Sequence, residues 1–142
     1  METGRMEEMK KIEVIIDWTG KNYCAAPSDS RIAYVATGKT LQEVKANIAE
    51  GLAFQLEGMQ EQGIEVPPEY LGNVEFDYVL TTRARLKYSD NFITRRALAE
   101  QTGIKEQQLS HYVNGWKSPR PATEQRILNG LRAIVANLTL VL

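Results

Sequence analysis

Apolar positions along the first 80 residues recur with two different periods. Ile12–Trp18 (IEVIIDW) is apolar and β-branched and stops at Thr19-Gly20-Lys21-Asn22, which predicts a strand followed by a hairpin-type turn. Tyr23–Ala26 resumes an extended pattern up to Pro27. After the polar loop Ser28–Arg31 a third strand is expected over Ile32–Ala36, closed by Thr37-Gly38. The period then changes. Thr40-Leu41-Gln42-Glu43 has the form of a capping box, with Thr40 as N-cap and Glu43 reaching back. Leu41, Val44, Ile48, Leu52, Leu56 and Met59 follow at spacings of three and four, one apolar face of a helix of about 20 residues. Gly63 stops it and Val66-Pro67-Pro68 makes a rigid bend. Val74–Leu80 (VEFDYVL) then alternates as a fourth strand, with Val74, Phe76, Tyr78 and Leu80 on one side and Glu75 and Asp77 on the other. The order β-β-β-α-β predicts an α+β layer in which the helix covers one face of the sheet.

Beyond Leu80 strand signals cease and short helical segments follow. Thr81–Ser89 forms a first one. Thr94 caps a second, Arg95–Gln101, which ends at Thr102-Gly103. Ile104 opens a third over Lys105–Asn114, ending at Gly115. The Pro-bracketed Ser118-Pro119-Arg120-Pro121 leads into a last helix over Ala122–Ala136. Leu138–Leu142 is too apolar for a loose tail, and is expected to pack within its domain or across a dimer interface. The fold class is therefore α+β: residues 1–80 as a β-β-β-α-β domain, then residues 81–142 as an all-α domain.

Composition narrows the chemistry. A single cysteine, Cys24, excludes an intramolecular disulfide and a thiolate metal site, and reads as a small apolar strand residue. Met1–Lys11 is charged and lacks the apolar core of an export signal, and no apolar run approaches the roughly 20 residues that span a bilayer. A soluble, cytoplasmic protein is expected. The net charge of −1 conceals an asymmetry: residues 1–80 carry 7 Lys/Arg against 14 Asp/Glu, and residues 81–142 carry 10 against 4. A basic half suits a polyanion and an acidic half suits a basic partner.

Within the basic half, Leu98, Ile104, Leu109 and Val113 read as the inner faces of two helices joined at Gly103, with Ala99 where they approach most closely. The outer face of the second helix is then Glu106, Gln107, Gln108, Ser110, His111 and Asn114, groups able to hydrogen-bond base edges. Arg95, Arg96, Lys105, Lys117 and Arg120 flank it as candidate phosphate contacts. The whole pattern, L-A-x-x-T-G-I-x-x-x-x-L-S-x-Y-x-N-G over 98–115, resembles a repressor-type helix-turn-helix. Lys105 stands where such helices usually begin with Ser, Thr or Asp. Double-stranded operator DNA is the expected partner, met by a homodimer or higher oligomer because paired half-sites need paired readers. The last helix and Leu138–Leu142 are the expected dimer contacts.

The acidic half carries a second resemblance. A β-hairpin, then Val35-Ala36-Thr37-Gly38-Lys39-Thr40-Leu41-Gln42-Glu43-Val44, a long helix with Ile48, Gly51, Leu52 and Phe54, and Val66-Pro67-Pro68 after it look like the HicB antitoxin domain. Pro27-Ser28-Asp29-Ser30-Arg31-Ile32 resembles, in diverged form, the P-D-L-P-G-C-type segment that the strand-to-helix loop of this family often carries. The two resemblances together cover nearly the whole chain, in the order found in HicB antitoxins with a C-terminal helix-turn-helix. They imply a degenerate RNase H-like fold without activity over 1–80. They also imply occlusion of a small basic HicA-like toxin that cleaves RNA with a catalytic histidine, and repression of the operon encoding both.

Other functions are weighed against this. A stand-alone transcriptional regulator would keep the DNA-binding half and use residues 1–80 to sense a small ligand or to dimerise. An RNA-cleaving enzyme would need Asp17 with Glu75 or Asp77 to hold Mg²⁺, yet Glu43, Glu50 and Glu57 fall off the apolar stripe of the helix and leave the cluster incomplete. His111 is the only histidine, and no P-loop or dinucleotide fingerprint occurs. No enzyme activity and no cofactor are expected.

Overall fold

The computed structural model describes residues 10–72 and 74–142. The expectation that Met1–Lys11 is no export leader falls almost wholly outside them. The architecture is α+β, a four-stranded mixed sheet and five α-helices among the described residues. No helix there is long and apolar enough to cross a membrane. The chain divides into two compact units. One is built on residues up to Ile16 and on Tyr23–Val79, the other on Asp17–Asn22 and Leu80–Leu142.

The first unit holds the sheet, in the order β3-β2-β1-β4. Strand β1 (Lys10–Trp18) alternates as a half-buried strand must: Ile12, Val14 and Ile16 point inward, Lys11 and Glu13 outward. Strand β2 (Tyr23–Pro27) pairs antiparallel with β3 (Ala36–Gly38), Tyr23 opposite Gly38 and Ala25 opposite Ala36. The third strand is thus shorter and later than the Ile32–Ala36 expected from the sequence. Pro27 explains this. Ser28 donates its N–H to Glu13 O at 3.0 Å, toward β1, so the edge of residue 27 faces β3, where proline has no hydrogen to give. The ladder ends before it, and Ile32 instead donates to Asp29 O at 3.1 Å in a turn while its side chain enters the core.

Helix α1 (Leu41–Glu61) lies against β2 and β3. Thr40 Oγ1 accepts from the Glu43 N–H at 3.0 Å, while the Glu43 carboxylate reaches one residue further back than a capping box requires, accepting from Lys39 N–H at 3.2 Å. The stripe enters the core as its spacing demands: Leu41, Val44, Ile48 and Leu52 are buried, Leu56 and Met59 half-buried. The helix ends where Ile64 N–H reaches Met59 O at 2.8 Å and Gly63 N–H reaches Gln60 O at 3.1 Å, the paired bonds of a Schellman motif. A 3-10 turn at Pro68–Tyr70 returns the chain to strand β4 (Val74–Leu80). Arg31 bridges Asp29 at 2.6 Å and Glu69 at 2.7 Å, and this holds the Asp29 carboxyl at about 2, well below the usual carboxylate range.

The second unit consists of α2 (Thr82–Ser89), α3 (Arg95–Thr102), α4 (Glu106–Asn114) and α5 (Pro121–Thr139) around a core of Leu86, Leu98, Ile104, Leu109, Tyr112, Val113 and Ile127. Trp18 packs against this core with the Lys87 ammonium 4.7 Å from its ring centre, and Asp17 accepts from Thr81 Oγ1 at 2.6 Å. Thr82 Oγ1 donates to Glu124 at 2.7 Å and so joins α2 to α5. Helix α5 begins at Pro121, whose missing N–H costs nothing in a first turn, and runs three residues beyond the expected Ala136. Leu138, Leu140 and Val141 do not pack within this unit, contrary to the first of the two expectations for 138–142. Leu140 is 83% exposed and Val135 63%. Ile127 and Gly130 mark the buried face of α5, and residues from Val135 onward extend past the helices that would cover them.

Gly130 is where α5 meets α3. A Cβ there would run into Thr102 Cγ2 and sit 3.5 Å from Leu98 Cδ1. Gly58, in the last turn of α1, has nothing within 4 Å of its hypothetical Cβ. Opposite outcomes follow for one substitution. Gly58→Ala stabilises by up to ~1 kcal/mol through helix propensity, whereas Gly130→Ala destabilises by about 1–3 kcal/mol through overpacking. Urea denaturation followed by circular dichroism separates the two, and a stabilised Gly130→Ala would overturn the close approach.

Candidate nucleic-acid interface

Helices α3 and α4 are joined by Gly103-Ile104-Lys105, and hydrogen bonds from both sides hold the start of that junction. Gly103, in the left-handed conformation at φ 73°, donates its N–H to Ala99 O at 2.8 Å. Thr102, buried, donates Oγ1 to Leu98 O at 2.8 Å and accepts from Ile104 N–H at 3.1 Å. Its carbonyl accepts from Arg126 of α5 at 2.7 Å. These bonds favour one course of the chain through the junction, since an unmade bond at buried Thr102 or Ile104 costs about 1–3 kcal/mol. Thr94 completes the first helix, its Oγ1 accepting from Ala97 N–H at 3.0 Å.

Helix α4 presses Leu109, Tyr112 and Val113 into the core. Helical spacing then gathers Gln107, Ser110, His111 and Asn114 into one stripe on the opposite side. Its C-terminal turn is held by Arg83 of α2, whose Nε donates to Val113 O at 2.7 Å and whose guanidinium lies under Gly115. At the other end Lys105 occupies the N-cap with extended backbone (φ −63°, ψ 141°) and makes no capping bond.

The sequence-designated residues fall into two groups. Arg96, Lys105, Glu106, Gln107, Asn114, Lys117 and Arg120 are exposed. Arg96 has only a long contact to Glu100, 3.6 Å, along its own helix. The other four are half-buried and already engaged or enclosed. Arg95 pairs with Asp90 at 2.7 Å and donates Nη1 to Ser110 Oγ at 2.7 Å, so it ties α4 to the loop before α3 and its charge is partly balanced. Gln108 donates to Tyr112 Oη at 3.0 Å and stands to the side of the stripe. His111 stacks on Trp116, ring centres 5.3 Å apart at 37°, with Nδ1 buried and without a hydrogen-bond partner among the described residues. Sequence reasoning passed over Trp116, which is 74% exposed beside Lys117. An aromatic directly after a helix-ending Asn114-Gly115 was the available signal. Arg83 was also missed. Its role depends on a carbonyl thirty residues away, which no local pattern announces.

Among the described residues no three His, Cys, Asp or Glu side chains gather as metal ligands. Asp17, the first member of the carboxylate cluster considered above, accepts from Thr81 Oγ1 and from Trp18 N–H at 2.8 Å. The sequence matches no protein-family model, no curated protein and no solved structure.

The uncapped start of α4 carries a stability prediction. The Lys105 backbone already has N-cap geometry, so Lys105→Asp adds a capping acceptor and a favourable charge at the helix start without moving the chain. We expect stabilisation by about 1 kcal/mol, read as a raised midpoint in urea. An unchanged midpoint would mean that the first-turn amides of α4 are already satisfied.

Proposed function

We propose that the chain is a DNA-binding antitoxin and autorepressor of HicB type, reading operator DNA with residues 81–142 and neutralising a small basic HicA-like toxin with residues 1–80. The observation that carries the DNA-binding half is the outward stripe of α4. It is wholly polar, it sits on a helix whose other side is locked into a core, and exposed Lys105, Lys117 and Arg120 lie at its two ends. A helix with its side chains is about 10–12 Å across, which fits the roughly 12 Å width of a major groove. On this reading α3, a tight turn and α4 form a helix-turn-helix in which Gln107 and Asn114 are the free base-reading groups. Lys105, Lys117, Arg120 and Arg96 neutralise phosphates, and Trp116 stacks on His111 at the groove's edge. Arg95 and Gln108 orient this surface.

For residues 1–80 the support is the β-β-β-α-β order, the sheet order β3-β2-β1-β4 with one long helix lying on β2 and β3, and the acidic excess. These agree with a degenerate RNase H-like HicB domain and with a basic protein as its partner. The exposed Val135, Leu138, Leu140 and Val141 supply the apolar surface on which two copies pair.

Two experiments test the DNA-binding half. With a duplex enriched by in vitro selection, log K falls linearly with log salt, and Lys117→Ala and Arg120→Ala each lower the slope by about one. Gln107→Ala costs about 1–3 kcal/mol on the selected site and far less on random DNA. Affinity that stays flat from about 50 to 200 mM salt would sink the assignment. For assembly, Val135→Asp with Leu138→Asp converts dimer to monomer in sedimentation equilibrium while leaving the circular dichroism spectrum intact. A wild-type chain that is monomeric at micromolar concentration counts against pairing through α5.

A further inference from the structure

The outward side of α1 is unlike the outer face of an ordinary amphipathic helix. Glu50, Glu57 and Glu61 share that side with Phe54, which lies one turn from Glu50 and one from Glu57 and is 79% exposed. Beside Phe54 the helix surface opens into a groove of about 230 Å³ lined by Phe54, Gln55, Gly58, Met59, Gln62 and Ile64. The Gly58 position leaves its floor open, with nothing within 4 Å of a hypothetical Cβ. No Lys or Arg occurs from Ala46 through Thr82, a stretch holding seven Asp/Glu. Glu50, Glu57, Glu61 and Glu65 have no ion-pair partner among the described residues.

An exposed aromatic ring at the centre of unpaired carboxylates is a poor choice for a merely solvated surface. Phe54 gains nothing from water, and the carboxylates repel one another at helical spacing. Both costs vanish against a partner that supplies an apolar side chain for the groove and cations for its rim. That combination is the anatomy of a binding hot spot, an aromatic centre with a charged border. We propose that this face of α1, centred on Phe54 and the groove at Gly58, is the surface on which the basic partner protein docks. One of its apolar side chains enters the groove, and flanking Lys or Arg residues face Glu50, Glu57 and Glu61. Charge complementarity selects this occupant. A second copy of the chain would bring the same acidic rim against itself, and a nucleic acid would be repelled. The assignment rests on the antitoxin reading, since it names where on residues 1–80 the toxin sits.

The test uses the full chain, with the HicA-like toxin of the same operon as probe, its histidine replaced so that cells tolerate it. Binding is measured by titration calorimetry. Phe54→Ala and the groove-filling Gly58→Leu each weaken binding at least about tenfold. Glu57→Lys does the same, whereas Glu13→Lys on β1, an equal change in net charge, stays within about twofold. Phe54 and Glu57 are exposed, so unchanged thermal melts and unchanged duplex-DNA binding confirm that these variants fold. A wild-type chain that binds the probe while Phe54→Ala and Glu57→Lys bind equally well overturns the surface and leaves the antitoxin reading standing. A wild-type chain that does not bind the probe overturns both. If Phe54→Ala instead shifts the sedimentation of the chain alone, the face pairs copies of this protein and the proposal falls.

Discussion

What α4 presents is decided at Thr102, a buried threonine whose hydroxyl and carbonyl are both spoken for. The hydroxyl closes α3 by donating back to Leu98 and receives the first amide beyond the glycine. The carbonyl takes the Arg126 guanidinium, and the methyl fills the space left by the missing side chain of Gly130. One side chain thus fixes the end of α3, the direction of the junction and the distance to α5. Because a packed interior tolerates neither a void nor an extra methylene cheaply, the polar stripe of α4 inherits its orientation from this contact more than from any bond of its own.

The two ends of α4 are held unequally. At its C-terminal turn Arg83 occupies Val113 O and underlies Gly115, a charged hydrogen bond from a neighbouring helix. At its N-terminal turn there is Lys105 and no capping acceptor. A cation at a helix start opposes the helix dipole, so stability alone does not account for it. Under the proposed function the same residue lies beside DNA phosphates, where its charge is an asset. The local cost and the proposed gain fall on one position.

Much of the fold was legible because its signals are local. Thr40 and Thr94 each begin a helix with a side-chain acceptor at the residue where propensity and spacing place it, while Thr81, expected as the first helical residue, stands one position before the helix as its cap. The apolar stripe of α1 and the alternation of β1 and β4 translate directly into burial. Illegible features depend on what lies across from a segment. Ile32–Val35 has strand composition, yet the proline that prevents its pairing lies on the neighbouring strand. Leu138–Val141 looks like core, but no helix of the unit extends far enough to cover it. In the candidate site, the exposure of Gln107 and Asn114 followed from periodicity. The engagement of Arg95 and Gln108 needed the positions of Asp90, Ser110 and Tyr112 as well.

Helix α5 is one uninterrupted rod of 19 residues, about 28 Å long. Its first half carries Arg126 and Gly130, which grip the junction ahead of α4, and its second half carries the uncovered apolar positions. In a pair of copies joined there, the separation of the two reading helices is set by a rigid strut and not by a flexible linker. Such a strut has a discrete gauge: each inserted residue advances it by about 1.5 Å and turns it by about 100°. Changes of half-site spacing in the chain's descendants would therefore come in helical steps, and most single insertions would leave the two readers facing different sides of the duplex.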